Sequence, residues 1–138
     1  MLVDPAGLNS LTERINRCAF RVHSELGPGL LEKAYKLAFA KELLLAGLAY
    51  KLDVPLATTY RGDNLGASYF IDAVVEDLVI VEIKAVTFNH PVYRAQLVTY
   101  LRLTGLPVGL LMNFHARRMK DGISRVLNDR PRPAKEDY

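Results

Sequence analysis

Two apolar, β-branched runs separated by only three residues, 69–75 and 79–86, limit what this chain can fold into more than any other feature. Their Val and Ile content and the turn-like spacer Glu76-Asp77-Leu78 predict an antiparallel hairpin. Three ionisable residues interrupt them: Asp72 in the first run, Glu82 and Lys84 in the second. Strand side chains alternate, so Glu82 and Lys84 share a face while Val81, Ile83 and Ala85 share the other. Charges this deep in an apolar strand are paired or bind something. From strand pattern alone, an ordinary Glu–Lys pair on a solvated face stands level with a functional site.

Hairpin register separates these readings. A two-residue loop, Glu76-Asp77, would set Asp72 against Val81, facing away from Glu82. A three-residue loop sets Asp72 opposite Glu82 on one face, where two carboxylates repel unless a cation lies between them. The expectation is therefore the three-residue loop, or an equivalent bulge, and a hard divalent ion bridging Asp72 and Glu82. Oxygen donors without a Cys or His cluster favour Mg²⁺ or Mn²⁺ over Zn²⁺.

Around this hairpin the pattern predicts an α/β domain, a mixed sheet flanked by helices. Leu8, Leu11, Ile15, Cys18, Ala19, Val22 and Leu26 form one helical stripe, with a capping box at Ser10 and Glu13 as its start and Gly27-Pro28-Gly29 as its stop. Cys18 on that stripe reads as a buried hydrophobe, and His23 as ordinary. A second helix spans 30–46, closed by Gly47, with Glu32 in its first turn. Period-two alternation over 50–56 predicts a strand whose Pro55 favours an edge or bulge, and 57–60 continue it or form another. Residues 61–66 are turn chemistry. A helix over 92–104 and strands over 108–113 and 123–127 follow. Residues 1–127 read as one domain and the Pro-rich, charged 128–138 as a mobile tail.

The net charge of +3 is mild, but its distribution is uneven. Residues 1–85 hold nine basic and eleven acidic groups, whereas 86–124 hold five and one. This places positive charge just downstream of Lys84, a weak pointer to a polyanion. No apolar stretch approaches the ~20 residues of a membrane span, no signal peptide is evident, and a lone cysteine fits a reducing interior, so a cytoplasmic location is expected. No Walker or Rossmann loop, zinc spacing or nucleophile elbow is present.

Asp72, nine residues, Glu82-Ile83-Lys84, and then Gln96-Leu97-Val98-Thr99-Tyr100 resemble the PD-(D/E)xK nuclease superfamily, in particular its RecB-like branch. Gly29, Glu32 and Tyr35 are similar to the signature of the small GxxExxY proteins; Ile71 stands where a Pro would precede the Asp. The resemblance covers about residues 10–127 and implies a restriction-endonuclease-like core. It implies that Asp72 and Glu82 hold the metal with the Ile83 carbonyl, and that Glu32 is an outer or direct ligand. Lys84 would orient or deprotonate the attacking water and stabilise charge at the phosphate, while Gln96 and Tyr100 would position substrate or support the site. Arg94, Arg102, Arg117, Arg118 and Lys120 could contact neighbouring phosphates, although a solvated surface explains the 117–120 cluster equally well. The implied function is metal-dependent hydrolysis of nucleic acid, with DNA favoured. Cutting both strands of a duplex would call for a homodimer. The alternative is a nuclease-like domain with little or no turnover that binds nucleic acid or protein.

Overall fold

A computed structural model describes residues 5–131, with side chains from Gly7 onward. Helices α1 (Pro5–Leu26) and α2 (Glu32–Leu45) precede strands β1 (Tyr50–Tyr60), β2 (Asp63–Val75) and β3 (Val79–Lys84). Helix α3 (Pro91–Thr104), strand β4 (Val108–Asn113), the single turn α4 (Met119–Gly122) and strand β5 (Ile123–Leu127) follow. The sheet runs β1-β2-β3-β4-β5 in chain order. Only β3 and β4 pair in parallel, across the α3 connection, so the sheet is mixed as expected.

Two apolar layers sandwich the sheet. On one face α1 and α2 pack Ile15, Tyr35, Phe39 and Leu43 against Ala73, Val81, Ile83 and Leu110. On the other, α3 presents Leu97, Tyr100 and Leu101 to Val74, Ile80 and Leu111. Gly109 lets α3 come this close, since a Cβ there would lie 2.6 Å from Leu97 Cδ1. At the end of α2, Leu48 N–H bonds to Leu43 C=O and left-handed Gly47 N–H to Leu44 C=O, the Schellman arrangement that permits the immediate turn into β1.

Three expectations change. Ser10 and Glu13 do not start α1; the helix already runs from Pro5, because Leu8 is buried and extends the apolar stripe upstream. Residues 57–60 continue β1, one of the two expected alternatives, but 61–66 are not all turn. Apart from a tight turn at Arg61-Gly62 they continue β1 and β2 into a long ribbon, whose residues 61–70 are all exposed. Asn128 is buried against the body, donating to the carbonyls of Leu101 and Leu106. Residues 132–138 of the expected tail lie outside the described residues.

Candidate active site

Register alone brings the first two carboxylates together. Strands β2 and β3 pair Val75 with Val79, Val74 with Ile80 and Ala73 with Val81, leaving 76–78 as the three-residue loop. The next pair in this register is Asp72 with Glu82, and there the backbone ladder stops. Ile83 N–H donates to Asp72 Oδ2 at 2.8 Å, and Asp72 N–H to Glu82 Oε1 at 3.3 Å. Each carboxylate thus ties down an amide near the other, and Asp72 Oδ1 and Glu82 Oε2 are the oxygens left outside those bonds. Glu82 is 4% exposed.

The ribbon bends at the same point. Leu52 and Ala73 pack on the α1–α2 side, whereas their neighbours Val54 and Ile71 pack on the α3 side. Between them Asp53 adopts φ +50°, the left-handed region. This bend exposes Asp72 to both layers. From the α2 side Lys36 Nζ lies 2.6 Å from Asp53 Oδ1 and 3.7 Å from Asp72 Oδ1. On the α3 side, Lys84 Nζ lies 4.7 Å from the centre of the Tyr93 ring, a cation–π contact that restricts where the ammonium points. Tyr100 is buried, its ring 5.9 Å from that of Tyr69.

Glu32 owes its place to Tyr35. The buried Tyr35 hydroxyl accepts from Leu30 N–H at 3.0 Å and donates to the Gly27 carbonyl, while its ring stacks on Phe114 at 4.8 Å. This latch closes the α1–α2 turn, where Gly29 has φ +105°, and starts α2 at Glu32. His115 Nε2 to the Leu30 carbonyl, 2.9 Å, and His23 Nε2 to the Ala116 carbonyl, 2.7 Å, tie the turn to the segment after β4. Tyr35→Phe removes two buried hydrogen bonds and is expected to cost about 1–3 kcal/mol in chemical denaturation.

Electrostatics unite the cluster. Burial, and then the charge of Asp72, push the Glu82 carboxyl well above the carboxylate range. Burial and Asp72 also raise Glu32, with Lys84 and Lys36 acting in the opposite sense. Burial alone would lower the Lys36 ammonium, but the hydrogen bond to Asp53 and the charges of Asp72, Asp53 and Glu32 outweigh it. The Tyr100 phenol is pushed up to about 12 by burial and by Glu82, Asp72 and Tyr69. A raised Glu82 means that the folded chain holds a proton which the unfolded chain releases. Stability without metal therefore falls as pH rises from the ordinary glutamate range through the raised value. Wild type is expected to lose several degrees of Tm between pH 5 and pH 8 relative to Glu82→Gln, by differential scanning fluorimetry in chelator.

These residues fit a hard divalent cation: two facing carboxylate oxygens, one on a buried glutamate short of positive charge, with no sulfur or imidazole among them. Among the described residues no three Asp, Glu, His or Cys side chains come close enough to surround an ion. Glu32 is coupled to Asp72 through charge. Gln96 is half-buried one turn before Tyr100, and Arg94 is exposed. Arg102, on the last turn of α3, is paired with Asp129, and Arg118 with Asp121; Arg117 and Lys120 are exposed on the β4–β5 connection.

Sequence reasoning missed Lys36, Asp53, Tyr69, Tyr93 and Asn113. Lys36 was recoverable, lying four residues after Glu32 on one helix face. Asn113 takes N–H bonds from Val86 and His115 on its Oδ1 and donates to the Val86 carbonyl, holding the exits of β3 and β4 together just past Lys84. No helix among the described residues is long and apolar enough to cross a membrane.

No curated protein and no solved structure matches the chain. A family model does, over residues 9–126, which takes in α2, most of α1, the sheet up to Val126 and every residue of the cluster. With that span and an α/β core of the restriction-endonuclease-like kind, the chain belongs to the PD-(D/E)XK nuclease superfamily.

Proposed function

We propose that the chain is a nuclease dependent on Mg²⁺ or Mn²⁺, hydrolysing phosphodiester bonds, with DNA the favoured substrate. Superfamily membership points to nuclease activity, to a nucleic acid as partner and to the divalent metals such nucleases generally use. The single observation that carries the finer reading is the Asp72–Glu82 pair, each carboxylate holding an amide near the other and leaving one oxygen outside. Asp72, Glu82 and the Ile83 carbonyl would hold the ion, with Glu32 acting from the outer shell. When bound, such an ion supplies charge neutralisation at the phosphate and acidity for the attacking water.

The remaining work belongs to side chains. Lys84 donates to the attacking water or to a non-bridging phosphate oxygen, placing fixed positive charge where negative charge accumulates. Tyr93 beneath its ammonium narrows the positions it samples. Lys36, whose ammonium is 3.7 Å from Asp72 Oδ1, holds that carboxylate turned toward the site. Tyr100, held neutral, donates a proton in hydrogen bonding rather than losing it, and Gln96 supports the same face. One copy carries one such centre, so severing both strands of a duplex takes two copies or two encounters.

The test is cleavage of labelled single-stranded, duplex and branched DNA and RNA with Mn²⁺ by wild type and Lys84→Ala. Lys84→Ala is expected to lose about 10²–10³ in rate while folding normally. Equal rates for the two proteins, or no cleavage of any substrate by wild type, would refute the reading.

A further inference from the structure

Two exposed aromatic side chains, Tyr69 and Phe88, stand a few residues from Asp72 and Lys84. Among the described residues, Tyr60, Tyr69 and Phe70 lie on the β1–β2 ribbon, Phe88 on the β3–α3 connection, and only Phe20 on α1. Tyr69, 43% exposed, is three residues from Asp72 and packs on Tyr100. Phe88, 83% exposed, is four residues from Lys84, so the chain itself holds it within about 14 Å of that residue. Tyr93 under Lys84 and Tyr100 under Tyr69 are seven residues apart on α3, two turns and about 10 Å along one face. Aromatic surface therefore flanks the site at two stations along α3, with Glu82 and Lys84 associated with them.

These walls carry almost no charge. Residues 85–93 contain no Lys, Arg, Asp or Glu, and residues 57–71 contain only Arg61 and Asp63, which cancel. Of the basic groups downstream of Lys84, Arg102 and Arg118 are already engaged by Asp129 and Asp121. Duplex is gripped through many phosphates by free cations, whereas its bases offer no π-face to a protein wall. A neutral aromatic wall suits the opposite case, bases that are unpaired and can stack.

We propose that the substrate enters this site as an unpaired strand, its bases stacking on Tyr69 and Phe88 on either side of the scissile phosphate. This rests on the nuclease reading above and adds the class of nucleic acid that the site accepts. The ribbon forms one wall and the connection after Lys84 the other, so a strand threaded between them passes the carboxylate pair with its backbone toward Lys84. Specificity then lies in strandedness, read by two side chains, rather than in a separate recognition element.

The test uses the full chain carrying Asp72→Asn, which can bind without cutting, and a DNA oligonucleotide with 2-aminopurine at its centre, offered as a single strand and as a duplex. Anisotropy is expected to show the single strand bound at least tenfold more tightly, with 2-aminopurine emission quenched by stacking. Phe88→Ala in that background removes a side chain exposed to solvent and so leaves the fold intact; it is expected to weaken single-strand binding about tenfold and relieve the quenching. Tyr69→Ala should do the same, and Tyr69→Phe should restore both signals. Duplex binding as tight as single-strand binding, or unchanged affinity and quenching in Phe88→Ala, overturns the proposal. Cleavage of duplex by wild type with Mn²⁺ alongside absent single-strand binding would overturn it while sustaining the nuclease reading; the absence of all cleavage overturns the nuclease reading itself.

Discussion

Asp72→Asn is expected to abolish cleavage, lowering the rate by at least ~10³, and at the same time to raise Tm at neutral pH. The two effects have one origin. Asp72 supplies negative charge beside a buried glutamate that is already held above the carboxylate range. Removing that charge takes away what would hold a cation and also relieves the repulsion which Glu82 endures without one. Asparagine keeps the shape and an oxygen that can accept from Ile83 N–H, as Asp72 Oδ2 does. Calorimetry should show Mn²⁺ binding to wild type and none to the variant, with circular dichroism unchanged. Retained cleavage, or Mn²⁺ binding at wild-type affinity, would remove Asp72 from the site.

The largest stability effect is expected outside the carboxylate cluster, at the turn before β5. A Cβ at Gly122 would stand 2.4 Å from the Asn113 backbone oxygen and 2.8 Å from Ala116 Cβ. A backbone oxygen cannot rotate aside as a side chain can, so Gly122→Ala must displace the end of β4 or unwind α4. The cost is expected at about 3 kcal/mol or more, at the upper end for overpacking. Because Asn113 holds the exit of β3 through Val86, the variant should also loosen the segment carrying Lys84. Urea denaturation gives the first quantity. Hydrogen exchange at residues 84–90 gives the second, and wild-type protection there would show that the clash is absorbed elsewhere.

The carboxylate pair was legible in the sequence because it depends on one short loop. Three residues between two apolar runs leave a single register that puts Asp72 and Glu82 on one face, and the protein adopts it. Lys36 and Asp53 were hidden by a different cause. At the ribbon tip Tyr60 pairs with Asp63, a register that would carry Asp53 to Phe70. Shifts near Leu56, Ala57 and Thr59 move the pairing by two residues before Leu52 meets Ala73, and this brings Asp53 level with Asp72. Such slips arise from twist and packing, for which the residues carry no local mark. Helix α1 illustrates the converse: a sound capping signature at Ser10 was overridden because Leu8 had somewhere to be buried.

The meeting of β2 and β3 carries an evolutionary consequence. Beyond Ala73 and Val81 the strands are joined through side-chain oxygens of Asp72 and Glu82, so losing those acceptors would unfasten the sheet, whereas an amide in either place keeps the fastening and disarms the site. A descendant that stopped cutting nucleic acid would still be under pressure to keep an oxygen acceptor at each position. The side chain of Lys84 fastens no strand; it lies over the Tyr93 ring. Lysine at that position, together with acid rather than amide at positions 72 and 82, is the mark whose persistence or loss records whether a lineage was selected to cleave.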